Sequence, residues 1–152
     1  MNGIINKLRA LIITMSAIAI SGCASPQNIT REYFGEDSLH LTKSEAASIL
    51  VGERITRSTL LTTTHYNIVS VNEKQLIFES TLYSDKLKSL YPRGKVVFEN
   101  VRKIELTVDS MGGNIKLHFE KRCPVFMITC GNTKHRYNKL LLAVLVLCPN
   151  VK

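Results

Sequence analysis

The chain predicts an α+β fold, an antiparallel sheet closed by one C-terminal amphipathic helix. Three observations carry that expectation. β-branched and alternating runs recur between Ile55 and Ile128, separated by turn-forming residues. A segment from Arg136 to Cys148 instead spaces its apolar residues for one face of a helix. Ahead of the strands, Thr42 and Glu45 stand at capping-box spacing, with an apolar run to Val51 and Gly52 at the stop position.

Taken in order, that capping signal predicts a short helix from Lys43 to Val51. Extended structure follows from Ile55 to Val71, and Asn72-Glu73-Lys74 turns it into a second strand from Gln75 to Leu82. Tyr91-Pro92-Arg93-Gly94 is a turn cluster, after which Lys95–Phe98, Val101–Val108 and Ile115–Phe119 read as strands. Met111-Gly112-Gly113-Asn114 joins the last two, its glycines supplying positive φ for a tight hairpin. In the clearest strand, Ile115, Leu117 and Phe119 face one way and Lys116, His118 and Glu120 the other, so one face is buried and one is wet. Val125 to Ile128 fits either a further strand or a disulfide loop between Cys123 and Cys130. The final helix presents Tyr137, Leu140, Leu141, Val144, Leu145 and Cys148 to the sheet. Leu142, Val146 and Leu147 lie off that stripe, as in a deeply buried helix.

The amino terminus carries a different signal. Lys7 and Arg9 precede an apolar run from Ala10 to Ile20 and the small residues Ser21 and Gly22, the layout of an export signal. Spanning a bilayer takes about 20 apolar residues, and Thr14 and Ser16 interrupt this shorter run. Ile20-Ser21-Gly22-Cys23 resembles the lipobox of bacterial lipoproteins, in which a large aliphatic residue, two small residues and a cysteine are read together. An ordinary cleavage site would require a small residue where Ile20 stands. The resemblance implies that Cys23 becomes the first residue of the mature protein, with acyl chains such as palmitate on its sulfur and amine. Two or more chains make membrane attachment stable. Ala24 stands where an Asp would retain a Gram-negative lipoprotein at the inner membrane, so the resemblance implies the outer membrane in such a source.

The expected organisation is a signal peptide at 1–22, a lipidated tether at 23–41 containing Pro26, and a single small domain at 42–152. Of 152 residues, 130 remain after the signal, enough for one core. The mature part keeps 18 of the 20 basic residues and all 12 acids, a net charge near +6. That charge is uneven: residues 23–85 hold 5 bases and 8 acids, and residues 86–152 hold 13 bases and 4 acids. Export excludes nucleic acid as a partner, leaving anionic lipid, lipopolysaccharide, cell-wall polymer or other envelope proteins. The residues expected to meet such a partner are Lys86, Lys88, Arg93, Lys95, Arg102, Lys103, Lys121 and Arg122. An oxidising compartment allows one disulfide among Cys123, Cys130 and Cys148, in any of three pairings.

The chain carries no Gly-x-Ser-x-Gly elbow, phosphate-cradling glycine loop or His-Glu-x-x-His. His40, His65, His118 and His135 lack metal-ligand spacing, and Glu99, Glu105, Asp109 and Glu120 form no pattern for glycan cleavage. No catalytic residue or cofactor is expected. The alternative is a small thiol-dependent enzyme in which Cys130 is activated by a histidine such as His135. The segment Gly94 to Leu106, read as strand, kink and strand, together with the helix from Arg136 to Cys148, resembles the pleckstrin-homology-like barrel. That resemblance covers Glu53 to Cys148 and implies binding of lipid headgroups or peptides.

Overall fold

A computed structural model describes residues 25–34, 40–81, 93–121 and 124–151. The order is β1 (Gln27–Ile29), a 3-10 turn (Arg31–Phe34), α1 (Lys43–Leu50), β2 (Arg54–Ser58), β3 (Thr63–Val71), β4 (Gln75–Ser80) and β5 (Gly94–Val97). A second 3-10 turn (Phe98–Asn100) leads to β6 (Val101–Asp109), β7 (Gly112–Phe119), β8 (Val125–Thr129) and α2 (Lys134–Leu147). All eight strands form one open antiparallel sheet in the order β1-β6-β7-β8-β2-β3-β4-β5, and α2 packs on it.

The sheet is strongly coiled. β5 and β6 stand six positions apart in the strand order, which in a flat sheet would separate them by ~29 Å. Yet only Phe98–Asn100 link Val97 to Val101, a reach of at most ~14 Å. Right-handed twist accumulated over eight strands brings the two halves face to face. The Phe78 ring on β4 consequently lies 5.4 Å from that of Phe126 on β8, three strands away in the order.

Register fixes two faces. The core row Leu106, Ile115, Ile128, Ile55 and Tyr66 runs across β6, β7, β8, β2 and β3, and each of its members is buried. Between such rows, Glu105, Lys116, Met127, Thr56 and His65 form the outer row. The two helices pack on each other, α1 against β3 and α2 against β7, and bury Leu50, Leu140, Leu141, Val144 and Leu147 on the core.

Several expectations are met in detail. Thr42 caps α1 by accepting the Glu45 N–H at 3.2 Å, and the Glu45 carboxylate accepts the Thr42 N–H at 2.8 Å. The expected strand, kink and strand are β5, the second 3-10 turn and β6. Val125 to Thr129 forms a strand paired on both sides, and so is not a disulfide loop.

Other expectations are corrected. The stretch from Ile55 to Val71 is two strands, because Thr59 and Thr62 close a turn between them. The Thr59 N–H donates to the Thr62 carbonyl at 2.8 Å, and the Thr59 hydroxyl accepts the N–H groups of Leu61 and Thr62. Residues 27–34, expected within the tether, belong to the folded domain, with Ile29 buried and β1 paired to β6. The β6–β7 turn lies at Ser110 and Met111, so Gly112 and Gly113 are already strand residues. Gly112 has a φ of 132°, whereas Gly113 is needed for close approach, since a Cβ there would sit 2.7 Å from that of Tyr137.

Candidate functional site

A cleft of about 310 Å³ opens where β7 ends and β8 begins, lined by Asn100, Arg102, Phe119, Glu120, Lys121, Pro124 and Phe126. Its floor is aromatic and continues into the core. Phe119 meets Phe126 edge to face at 5.7 Å, Phe126 meets Phe78 at 5.4 Å, and Phe78 meets Tyr66 at 4.7 Å.

The rim is basic for reasons of backbone geometry. Val101 pairs with Phe119 and Lys103 with His118, so Arg102 is the extra residue of a β-bulge. Such a bulge re-aims a side chain. The Arg102 guanidinium turns to the cleft, donating to the Glu99 carbonyl at 3.2 Å and meeting the Glu120 carboxylate at 3.2 Å. Lys121 is exposed on the rim and has no carboxylate partner among the described residues. Arg57 stands directly opposite Phe126 across the β2–β8 ladder, on the same face of the sheet. Its place in the alternation was readable, two residues after the buried Ile55, but its charge suggests a solvated position and it escaped the expected set.

The expected basic residues do not form one patch. Lys86, Lys88 and Arg122 lie outside the described residues. Arg102 and Lys121 meet at the cleft. Arg93 pairs with Glu79 at 3.4 Å, and with Lys95 it lines a separate hollow over Ile77 and Gly94. Lys103 is on the outer face of β6, 2.6 Å from the Glu105 carboxylate, whose other oxygen lies 2.8 Å from His118 Nε2. Those contacts, led by the Lys103 hydrogen bond, hold the Glu105 carboxyl below its usual range against a smaller opposing effect of burial.

The cysteines also separate. Cys23, the lipid candidate, and Cys123 lie outside the described residues. Cys130 and Cys148 are free and fully buried, so the pairing between them expected as one option is not formed. The physical reason is distance along α2: Cys130 precedes the helix and Cys148 follows it, and fourteen residues of helix span ~21 Å. Burial pushes both thiols up to about 12, and the Cys130 thiol donates to the Ile128 carbonyl at 3.4 Å. A thiolate nucleophile has no support there, and Cys130 acts as a small core residue. His135 is exposed on the first turn of α2, lining a shallow hollow with Ser48, Glu53, Arg136 and Lys139.

Of the other histidines, His40 is exposed, whereas His65 and His118 have structural partners. His65 Nδ1 lies 3.0 Å from the Thr56 hydroxyl, and His118 bonds Glu105. Among the described residues no cluster of His, Cys, Asp and Glu could hold a metal ion, and no helix is long and apolar enough to cross a membrane. No protein-family model, curated protein or solved structure matches this chain.

Proposed function

We propose that this chain is a lipid-anchored envelope protein with a non-catalytic binding or assembly role, in which the aromatic-floored cleft receives an anionic envelope partner. The observation that carries this reading is the bulge at Arg102, which sets a guanidinium beside Lys121 above Phe119 and Phe126. Planar apolar surface with fixed cations at its edge suits a ligand that joins an anionic group to an apolar body. Burial of the Cys130 thiol favours this reading over the thiol-enzyme alternative.

The position of β1 sets where such an anchor would hold the domain. Gln27 begins the edge strand four residues after Cys23, so an acylated Cys23 would hold that edge within ~14 Å of the lipid. Cations close to an anionic membrane each contribute about 1 kcal/mol, fading within a Debye length.

The test is binding of the purified full chain to anionic and neutral envelope lipids, lipopolysaccharide and cell-wall polymer, compared with the Arg102→Glu/Lys121→Glu variant. Loss of two attractions and gain of two repulsions should weaken binding at least tenfold, since about 1.4 kcal/mol gives that factor. Binding to every component that is unchanged by the substitutions and by moderate salt would contradict the proposal.

A further inference from the structure

The β2–β3 hairpin presents the two most exposed large apolar side chains described in the protein. Leu60 is 89% exposed and Leu61 93%. They are adjacent in sequence at the tip of a turn held by the Thr59 and Thr62 backbone and hydroxyl bonds. Such a tip displays both leucines in water at an unfavourable hydration cost and pays little conformational entropy when they are withdrawn from it. Its surroundings are basic. Arg57 lies just before the turn, and the Ser58–Val125 pairing sets the hairpin beside the start of β8, the end of the sheet at which Lys121 lines the cleft. The turn contains no acid, and nearby Glu120 is engaged by Arg102.

We propose that Leu60 and Leu61 insert into the interfacial region of an anionic bilayer, as a membrane contact separate from the acyl chains. Apolar side chains flanked by Lys and Arg are the combination that binds anionic interfaces, the apolar groups entering the acyl boundary and the cations remaining at the headgroups. Met111, at the tip of the β6–β7 hairpin, supplies the contrast. It is 85% exposed, but it is a single apolar residue and its N–H is held by the Asp109 carboxylate at 2.8 Å, so an anion sits beside it. The contact also orients the domain. β1 enters the sheet opposite Leu106, away from Val101, whereas the leucine hairpin projects beyond Ser58 at the end where β7 meets β8. Two attachments on different strands stop the domain swinging freely about the anchor.

The chain contains no tryptophan, so a substituted indole reports one position. Full-length Leu61→Trp and Met111→Trp proteins, each also in a Cys23→Ala background, are to be mixed with vesicles of phosphatidylcholine with or without phosphatidylglycerol, some carrying brominated acyl chains. Emission from Leu61→Trp should shift to the blue and lose at least half its intensity to bromine in the anionic vesicles, with Arg57→Glu reducing both effects. Met111→Trp should keep the emission of an indole in water. Because the readout is depth at one residue, retention of the chain by an acylated Cys23 does not produce it. Emission at position 61 that stays unshifted and unquenched on vesicle-bound protein overturns the proposal. So does a blue shift without vesicles that grows with protein concentration, which would mean that a second copy covers the tip. Equal quenching in neutral vesicles overturns the requirement for anionic lipid.

Discussion

The Arg31 guanidinium, through Nε, lies 3.1 Å from the carbonyl oxygen of Val151, 120 residues further along the chain. The same group reaches the carbonyls of Pro149 at 3.2 Å and Cys148 at 3.4 Å. The last turn of α2 contains no basic residue of its own, so Arg31 supplies the positive charge that a helix C-terminus favours. It also ties the segment following β1 to the end of the helix that covers the core.

Arg31→Ala should therefore lower stability by about 1–3 kcal/mol, the scale of charged hydrogen bonds at a partly exposed site. Arg31→Lys should recover only part of that loss, because an ammonium lacks the planar fork that meets several carbonyls at once. Urea denaturation of the three proteins checks the order.

Glu105 gives the outer face a pH dependence. Its carboxyl is depressed in the fold by Lys103 and His118, and Asn28 and Lys116 are its direct cross-strand neighbours. A depressed acid contributes stability that is fully present above its unfolded pKa and is lost as pH falls through the folded one. Stability should begin to fall as pH drops into the ordinary carboxylate range and continue below it. Lys103→Met should flatten that part of the profile. Denaturation midpoints measured from neutral to acid pH would show the difference, and a Lys103→Met profile parallel to that of the parent would contradict the assignment.

Cys130 and Cys148 should resist thiol-specific reagents in the folded protein. Both are fully buried, with thiols near 12, so at neutral pH reaction requires opening of the structure. With Cys23 and Cys123 replaced by serine, labelling should be negligible in native buffer and should reach two thiols per chain in denaturant. Rapid native labelling of Cys130 would restore the nucleophile reading.

Gly113→Ala should be among the more damaging single substitutions. The added methyl would meet Tyr137 at its Cβ, so the strain falls on the backbone separation of β7 and α2 and not on a mobile ring. Overpacking of this kind costs about 1–3 kcal/mol. Tyr137→Ala should not rescue it, because alanine keeps that Cβ, and a thermal melt of the double variant tests the point.

The sequence made the local signals legible. The capping box at Thr42 and Glu45, the alternation of Ile115 and Leu117 with Lys116 and His118, and the apolar stripe of α2 each depend on neighbours in the chain. The missed features depend on partners far away. β1 is three residues long and is defined by pairing with β6. The Thr59–Thr62 turn uses hydroxyls in place of the glycine or asparagine that marks most hairpins. The candidate site was legible only as charge. Counting bases in the second half found Arg102 and Lys121, but their meeting at the cleft follows from a bulge and from the pairing of Val101 with Phe119. The register beyond the bulge puts Lys103 on the other face, opposite His118, and the β2–β8 ladder brings in Arg57 from the acidic half.

Acylation of Cys23 is the claim on which the envelope location, the anionic partner and the placement of β1 near lipid depend. The direct measurement is radiolabelled palmitate incorporation into the parent chain and Cys23→Ala, followed by density-gradient separation of the membranes. The account predicts label that vanishes with Cys23 and, in a Gram-negative cell, bands with the outer membrane. A parent chain that takes up no label, or label that survives Cys23→Ala, would contradict it.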